Sequence, residues 1–255
     1  MKIPIRRNSQ RILDGLILAL DFNESNQGKT LKDKSGKGYD ATINNLANTP
    51  RTAGRLNQAL YFDGSVNSYA SIPTNTVLDG NATFTVVFTF RHYAFNYIIS
   101  KNKRDYLDGW AIAVYPIAPL RLYAKIYGTG GPGTDHIFQT LLISSNEWHF
   151  GAIARSGTSD YIIGFLDGKW ETQADAEADA LTNTEPLYIG AGGTLGAGDH
   201  FNGWIDSILM FNRALSTSDL TDLYRNWAFM GELGRVNVKH SRLPIRRPAT
   251  PLLYA

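Results

Sequence analysis

Phe201-Asn202-Gly203-Trp204-Ile205-Asp206-Ser207-Ile208-Leu209-Met210-Phe211-Asn212-Arg213-Ala214-Leu215-Ser216, with the eight residues after it, changes its period halfway. From Gly203 to Phe211 nearly every position is apolar, the pattern of a strand covered on both faces, and Asp206 and Ser207 are the polar interruptions. After a turn at Asn212-Arg213, Ser216 is placed to cap a helix, with Asp219 at the third helical position as a short-armed capping box. Leu220, Leu223, Tyr224 and Trp227 follow at helical spacing, so a helix is expected over 217–228. A buried strand ends and hands over to one short amphipathic helix.

Upstream the signals are strand-like. Residues 82–91 alternate aromatic or aliphatic side chains with Thr, and 109–115 set Trp110, Ile112 and Val114 against Ala111 and Ala113; both read as half-buried strands. Residues 120–127, 148–155, 161–166 and 187–189 add further strands, each bounded by Gly, Pro, Asn or Asp. Asp167-Gly168 reads as a hairpin turn that needs positive φ. The expected architecture is all-β: two antiparallel sheets packed face to face as a jelly-roll sandwich, one short helix late in the chain, and extended terminal arms.

The closing stretch resembles that of the laminin-G-like members of the concanavalin A-like lectin/glucanase superfamily. The likeness rests on Phe201, Gly203, Ile205, Asp206, Asn212, Arg213, Ala214, Leu215, Ser216, Leu223 and Tyr224. It continues upstream in family order. A first strand over 15–22 and the turn Asp33-Lys34-Ser35-Gly36-Lys37-Gly38 are followed by Ala59-Leu60-Tyr61-Phe62-Asp63-Gly64-Ser65, Thr83-Phe84-Thr85, Ile98-Ile99-Ser100-Lys101, Trp148-His149-Phe150, Leu166-Asp167-Gly168-Lys169 and Ile189-Gly190. The resemblance implies one domain whose first and last strands pair.

Composition agrees with a single domain. The 255 residues contain turn signals about every ten positions and no Pro- or Ser-rich linker. Cysteine is absent, so neither disulfides nor thiolate metal sites support the fold. The formal charge of +2 hides a division. Residues 1–11 hold four bases and no acid, residues 235–255 hold five bases and no acid, and the remaining 16 bases and 23 acids give the body a net charge of −7. The arms echo each other, as Ile3-Pro4-Ile5-Arg6-Arg7 and Leu243-Pro244-Ile245-Arg246-Arg247. The expected division is a basic arm over 1–14, the jelly-roll domain over 15–228 and a second basic arm over 229–255.

Little points to catalysis. Hydrolases of this superfamily resemble one another in an E-x-D-x-x-E strand, where alternation puts the carboxylates on one face, and that motif is absent here. Glu171, Asp175, Glu177 and Asp179 lie in an Ala-rich stretch and read as a solvated loop or short helix. The five histidines lack metal-ligand spacing. Gly128–Gly133 and Gly190–Gly198 fail the phosphate-loop and dinucleotide patterns and read as strand connections that a ligand can approach closely. No cofactor is expected, although the resemblance makes Asp33 and Asp206 calcium candidates, with a structural hydrogen bond the favoured role for Asp206.

The expectation is therefore a non-enzymatic structural protein of an assembled particle, a phage capsid decoration or tail protein. Its body would be displayed and its arms would anchor it to other virion subunits, including copies of itself. Anchoring falls to Ile5, Arg6, Arg7, Arg11, Arg242, Ile245, Arg246, Arg247, Leu252 and Tyr254; the prolines near the end favour extended chain, and the apolar end suits a partner's groove. The amino-terminal stretch lacks a signal-peptide apolar run and no transmembrane segment is evident, which fits assembly from a host cytoplasm; the alternative is an extracellular protein. Nucleic acid is disfavoured because the negative body opposes it and no stacking pattern accompanies the arginines. The alternative function is a carbohydrate-binding module or adhesin, with or without calcium, and a glycoside hydrolase ranks below both.

Overall fold

The apolar run after Phe201 forms a strand over Asn202–Phe211, buried along most of its length. The computed structural model describes residues 12–24, 28–55, 57–79, 83–94, 96–102, 108–128, 133–157, 159–175 and 181–226. Among these, the strands in chain order are β1 (Leu16–Leu20), β2 (Thr30–Leu31), β3 (Ala41–Ile43), β4 (Arg51–Ala53), β5 (Gln58–Asp63), β6 (Ala70–Ile72), β7 (Thr83–His92) and β8 (Tyr97–Asn102). Then come β9 (Gly109–Tyr115), β10 (Arg121–Tyr127), β11 (Thr134–Leu142), β12 (Trp148–Ser156), β13 (Tyr161–Leu166), β14 (Lys169–Ala174), β15 (Leu187–Ile189), β16 (Asn202–Phe211) and the helix α1 (Thr217–Arg225). One sheet runs β14-β13-β12-β7-β16-β5-β4 with β1 also on β16; the other runs β11-β10-β9-β8-β15-β6-β3-β2. All pairings are antiparallel, and the two-sheet jelly roll expected from the pattern is what forms.

The polar pair inside β16 marks an irregularity. Ile205 lies opposite Phe90 of β7, but Ser207 lies opposite Thr89, so Asp206 is the extra residue of a β-bulge. Because side chains alternate with period two, one extra residue reverses which positions face the core. Ile205 before the bulge and Ile208 and Met210 after it all join the core between the sheets, while Leu209 and Phe211 turn outward under α1. The other edge of β16 changes partner at the same place, from β5 over Asn202 to Ile205 to β1 over Ile208 to Phe211. Asp206, 2% exposed, sits at that changeover against the β4–β5 hairpin.

The half-buried reading of residues 109–115 needs correction, because β9 is buried at every position but Tyr115, and so does that of 82–91, because β7 is covered on both faces. Its threonines serve as buried polar fasteners. Thr85 donates to the Arg213 carbonyl and accepts from the Leu215 N–H, both at 2.8 Å, and the Thr89 hydroxyl meets that of Ser207 at 2.9 Å. The outer apolar cluster, in which Leu220 and Leu223 of α1 meet Phe150, Phe165 and Phe211, accounts for the burial. The expected capping box is present: Asp219 N–H donates to the Ser216 hydroxyl at 3.1 Å, and Ser216 N–H is bonded in return to Asp219. The helix ends at Arg225 with Asn226 as its cap; Trp227 and Ala228 lie outside the described residues.

The acidic stretch is also not what its composition suggests. Asp175 is 1% exposed and paired with the buried Arg155, with His136 Nε2 at 3.5 Å. Glu171 takes the backbone N–H groups of Gln139 and Thr140 on β11, at 3.1 and 2.8 Å, and Gln173 donates to the Ile137 carbonyl. β14 and β11 are edge strands of opposite sheets, and these side chains occupy backbone groups that would otherwise be left open. Glu177 and Asp179 lie outside the described residues.

A methyl at Gly54 would fall 2.5 Å from Asp206 Oδ2, 2.7 Å from the Gln58 carbonyl carbon and 2.9 Å from the Ala59 nitrogen. Two of these are backbone atoms that cannot swing aside. Gly54→Ala is expected to lower stability by about 1–3 kcal/mol in urea denaturation, the range for overpacking; an unchanged midpoint would contradict the seating of Asp206 against the hairpin.

Candidate ligand-binding face

The outward side of the β16 sheet divides at the bulge. Beyond it, α1 and Ile12 cover the strands. Before it, register places Tyr61, Trp204, Arg91 and Trp148 side by side on β5, β16, β7 and β12. All four are half-buried, and Tyr93, just past β7, is 47% exposed. The Trp204 ring lies 4.9 Å from that of Tyr61 and 5.2 Å from that of Tyr93, centroid to centroid. The Arg91 guanidinium carbon is 4.8 Å from the Trp204 centroid, within cation–π reach.

Trp204, Arg91 and the Tyr93 backbone are held by their neighbours. Trp204 Nε1–H donates to Thr52 Oγ1 of β4 at 2.9 Å. Arg91 donates from Nε at 2.9 Å, and also from Nη2, to the amide oxygen of Asn146. Asn146 has a φ of +64° in the β11–β12 turn, and its N–H bonds the His92 carbonyl at 2.8 Å. Tyr93 N–H bonds the Asn202 carbonyl at 2.9 Å. Three rings and an oriented cation thus form a platform set before any ligand arrives, which lowers the ordering cost of binding. The platform offers stacking faces and hydrogen-bond donors.

A second aromatic layer lies on the outward side of the other sheet. Tyr97, Ala113 and Tyr123 are in register across β8, β9 and β10, and the Tyr115 ring lies 5.6 Å from that of Tyr123. The middle of this layer is closed, with Ala113 fully buried and Tyr123 9% exposed, while Tyr97 and Tyr115 are half-buried. Burial, the 2.7 Å bond from its hydroxyl to Asp135 and the nearby Tyr97 and Tyr115 push the Tyr123 phenol well above its ordinary pKa. The first glycine-rich loop has residues 129–132 outside the description; in the second, Gly192 lies against Tyr97, where a Cβ would fall 2.9 Å from the ring. The platform at Trp204 is the one that adds a well-exposed ring, Tyr93, to its half-buried residues.

The calcium candidates are placed apart in role. Asp33 Oδ1 accepts from the N–H groups of Ala19 and Ser35 at 3.0 and 2.9 Å, and Oδ2 accepts from the Ser35 hydroxyl and Tyr39 N–H at 2.8 and 3.0 Å. Both oxygens thus serve the first turn, and Asp206 serves the bulge. Among the described residues no cluster of three or more His, Asp or Glu side chains is placed to hold a metal ion. Of the acids weighed for hydrolysis, the described ones are engaged: Asp175 pairs with Arg155, and although burial alone would raise the Glu171 pKa, bonds from Thr140, Gln173 and Gln139 outweigh it and hold the carboxyl below its ordinary value, unsuited to a general acid.

All the arm residues proposed for anchoring, from Ile5 to Arg11 and from Arg242 to Tyr254, lie outside the described residues. The points from which the arms depart are described. Ile12 packs in the cluster of Leu215, Leu220 and Leu223, and Arg213 bonds the Asp14 and Ile12 carbonyls at 2.8 and 3.2 Å. Asn226 caps the same helix. Both arms therefore set out from the α1 side.

Sequence reading did not single out Tyr61, Arg91, Tyr93 or Trp204 as site residues. The signal was present as outward positions in strand alternation, but joining them needed the cross-strand register.

A family model described as the concanavalin A-like lectin/glucanases superfamily, of laminin G type, matches residues 62–221. No curated protein matches the sequence. Among solved structures, the binding domain of Paraclostridial Mosquitocidal Protein 1 superposes with a TM-score of 0.69 at 19% identity, covering 85% of this chain and 53% of that one. The binding domain of botulinum neurotoxin DC, solved in complex with rat synaptotagmin II, gives 0.64 at 18% identity, covering 84% and 52%. The botulinum neurotoxin serotype G binding domain gives 0.65 at 15%, covering 83% and 51%. The chain spans about half the length of these structures, and the likeness is one of fold.

Two histidines near the platform give stability opposite pH dependences. His92 is fully buried without a hydrogen-bond partner, and burial, aided by His149, depresses its pKa to about 4. Burial also opposes the charged form of His149, but bonds to Asp167 at 2.6 Å and to the Ser144 carbonyl at 2.9 Å prevail and raise its pKa. With an unfolded value of ~6.5, the contribution of His92 is full above that pH and declines as pH falls toward its folded pKa. That of His149 is full below ~6.5 and is lost as pH rises through its raised folded value. Urea midpoints measured against pH should lose part of their acid limb in His92→Phe and part of their alkaline decline in His149→Gln; curves parallel to the parent's would contradict both assignments.

Proposed function

The chain belongs to the concanavalin A-like lectin/glucanases superfamily, and from that premise we propose a non-catalytic binding protein whose jelly-roll body recognises glycans on the row Tyr61, Trp204, Arg91 and Trp148. The observation that carries this reading is the half of the sheet outside the α1 cluster, where three rings and a held guanidinium stand half-buried and in register. Aromatic faces stack on the apolar faces of sugar rings, and neighbouring donors read their oxygens. The row crosses three strand intervals, about 14 Å at ~4.8 Å each, a span that suits a short oligosaccharide. Solved neighbours of similar fold are described as binding domains, which supports a binding role over hydrolysis. No metal is needed for stacking on this face, so binding is proposed to survive chelation.

A second reading concerns where the body is held, and it is compatible with the first. The arms carry nine positive charges against a body of −7, and both depart from the α1 side. That arrangement supports arms that reach neighbouring subunits of a particle, a virion in the fullest form of the proposal, while the platform beyond the bulge remains displayed.

A glycan array read with and without chelator tests the first reading. Trp204→Ala is expected to weaken any glycan found by at least ~10-fold, equivalent to about 1.4 kcal/mol. Tyr93→Ala, at an exposed position, should weaken it less without altering the fold; an array blank for every saccharide would sink the proposal. For the arms, deletion of residues 1–11 and 235–255 should abolish incorporation into particles and leave glycan binding intact. Incorporation of the trimmed body would contradict anchoring.

A further inference from the structure

Several cations elsewhere on the body meet carboxylates, although Lys29, among the described residues, bonds only the Asn44 carbonyl. Lys34, Arg51, Lys101, Lys125, Arg155 and Arg213 each have an acid within salt-bridge distance. Arg91 is not among these pairs: its Nε and Nη2 hydrogens go to a neutral amide oxygen, that of Asn146, and no described carboxylate pairs with it. The guanidinium has five donors, so the Nη1 side keeps its capacity to bond. It is also held over Trp204 at 4.8 Å, with Trp148 the next residue along the row. A half-buried, oriented guanidinium with no described acid beside it is a receptor for one.

We infer that the ligand of this face is a carboxylated saccharide, a sugar acid whose carboxylate pairs with Arg91 while its ring stacks on Trp204 and Tyr93. The inference rests on the glycan reading and narrows it. Arginine binds a carboxylate through two parallel hydrogen bonds, which fixes the orientation of the bound ring as well as adding affinity. Asn146 supports this geometry because its own backbone is fixed by the bond to His92 and it clamps one edge of the guanidinium. The net charge of the body does not overturn the preference. Repulsion between the ligand and distant acids is screened over ~8 Å at physiological salt, whereas the pairing acts at contact. Charge also argues against the chain's own arms as the occupant, since their nine bases would be brought up to a cation.

The test titrates the full chain with a uronic-acid disaccharide and with the same disaccharide after reduction of its carboxyl groups, following heat by calorimetry and tryptophan emission in parallel. The acid form should bind the parent protein ~10-fold or more tightly than the reduced form, the scale expected of a hydrogen bond between charged groups. Arg91→Gln should bring the two affinities within about twofold of each other by weakening the acid form far more than the reduced form, and Arg91→Lys should restore only part of the preference. Tyr93→Ala should weaken both probes alike, as loss of stacking requires. Equal affinities for the two probes in the parent overturn the sugar-acid inference and leave the glycan reading standing. Binding of neither, together with a blank glycan array, overturns both. A preference that persists in Arg91→Gln, or a response that appears only after residues 229–255 are removed, also overturns the assignment of an acid to this face.

Discussion

The structure depends on a single constraint in β16, which must serve three partner strands and two apolar layers at once. A regular strand cannot do this with the sequence it has. Ile205 and Ile208 differ by an odd number, so regular alternation would send one of them away from the core. The extra residue, Asp206, restores both to the interior and turns Leu209 and Phe211 toward α1. The same residue fills the point at which β5 gives way to β1. A buried acid is costly unless it has polar company, and Asp206 lies where the bulge meets the β4–β5 hairpin.

The bulge also orders the surface. On one side of it outward positions are apolar and are covered by the helix that follows directly in sequence; on the other they are Trp204 and its neighbours, and they stay open. One strand therefore carries a structural half and a displayed half, and the platform inherits the rigidity of the central sheet. Ile12 and Asn226, the first and last described residues, both lie on the covered half.

Much of the scaffold was legible in local pattern. The all-apolar run gave β16, Ser216 and Asp219 gave the cap of α1, and Asp167-Gly168 gave a turn in which both residues have positive φ. Asp206 and Ser207 were visible as interruptions, yet their meaning depends on the register with Phe90 and Thr89, which no local window contains. The platform was less legible for the same reason. Its members stand at 61, 91, 93, 148 and 204, and none has unusual neighbours in sequence. Asp175 misled because an Ala-rich acidic stretch looks solvated, whereas a distant buried arginine on β12 decides its place. Asp33 was rightly singled out as a turn residue, but its two oxygens are taken by four donors of its own chain.

The central claim is that the displayed half of β16 is a binding surface. Chemical-shift mapping of the isotopically labelled chain during titration with an oligosaccharide tests it most directly. The account predicts that the largest changes fall on the Trp204 indole N–H, the Arg91 side chain and the amides of Tyr93 and Asn146, with little change at Tyr115, Tyr123 or α1. Changes centred on the Tyr97–Tyr123 layer or on the helix, or none at saturating ligand, would contradict it.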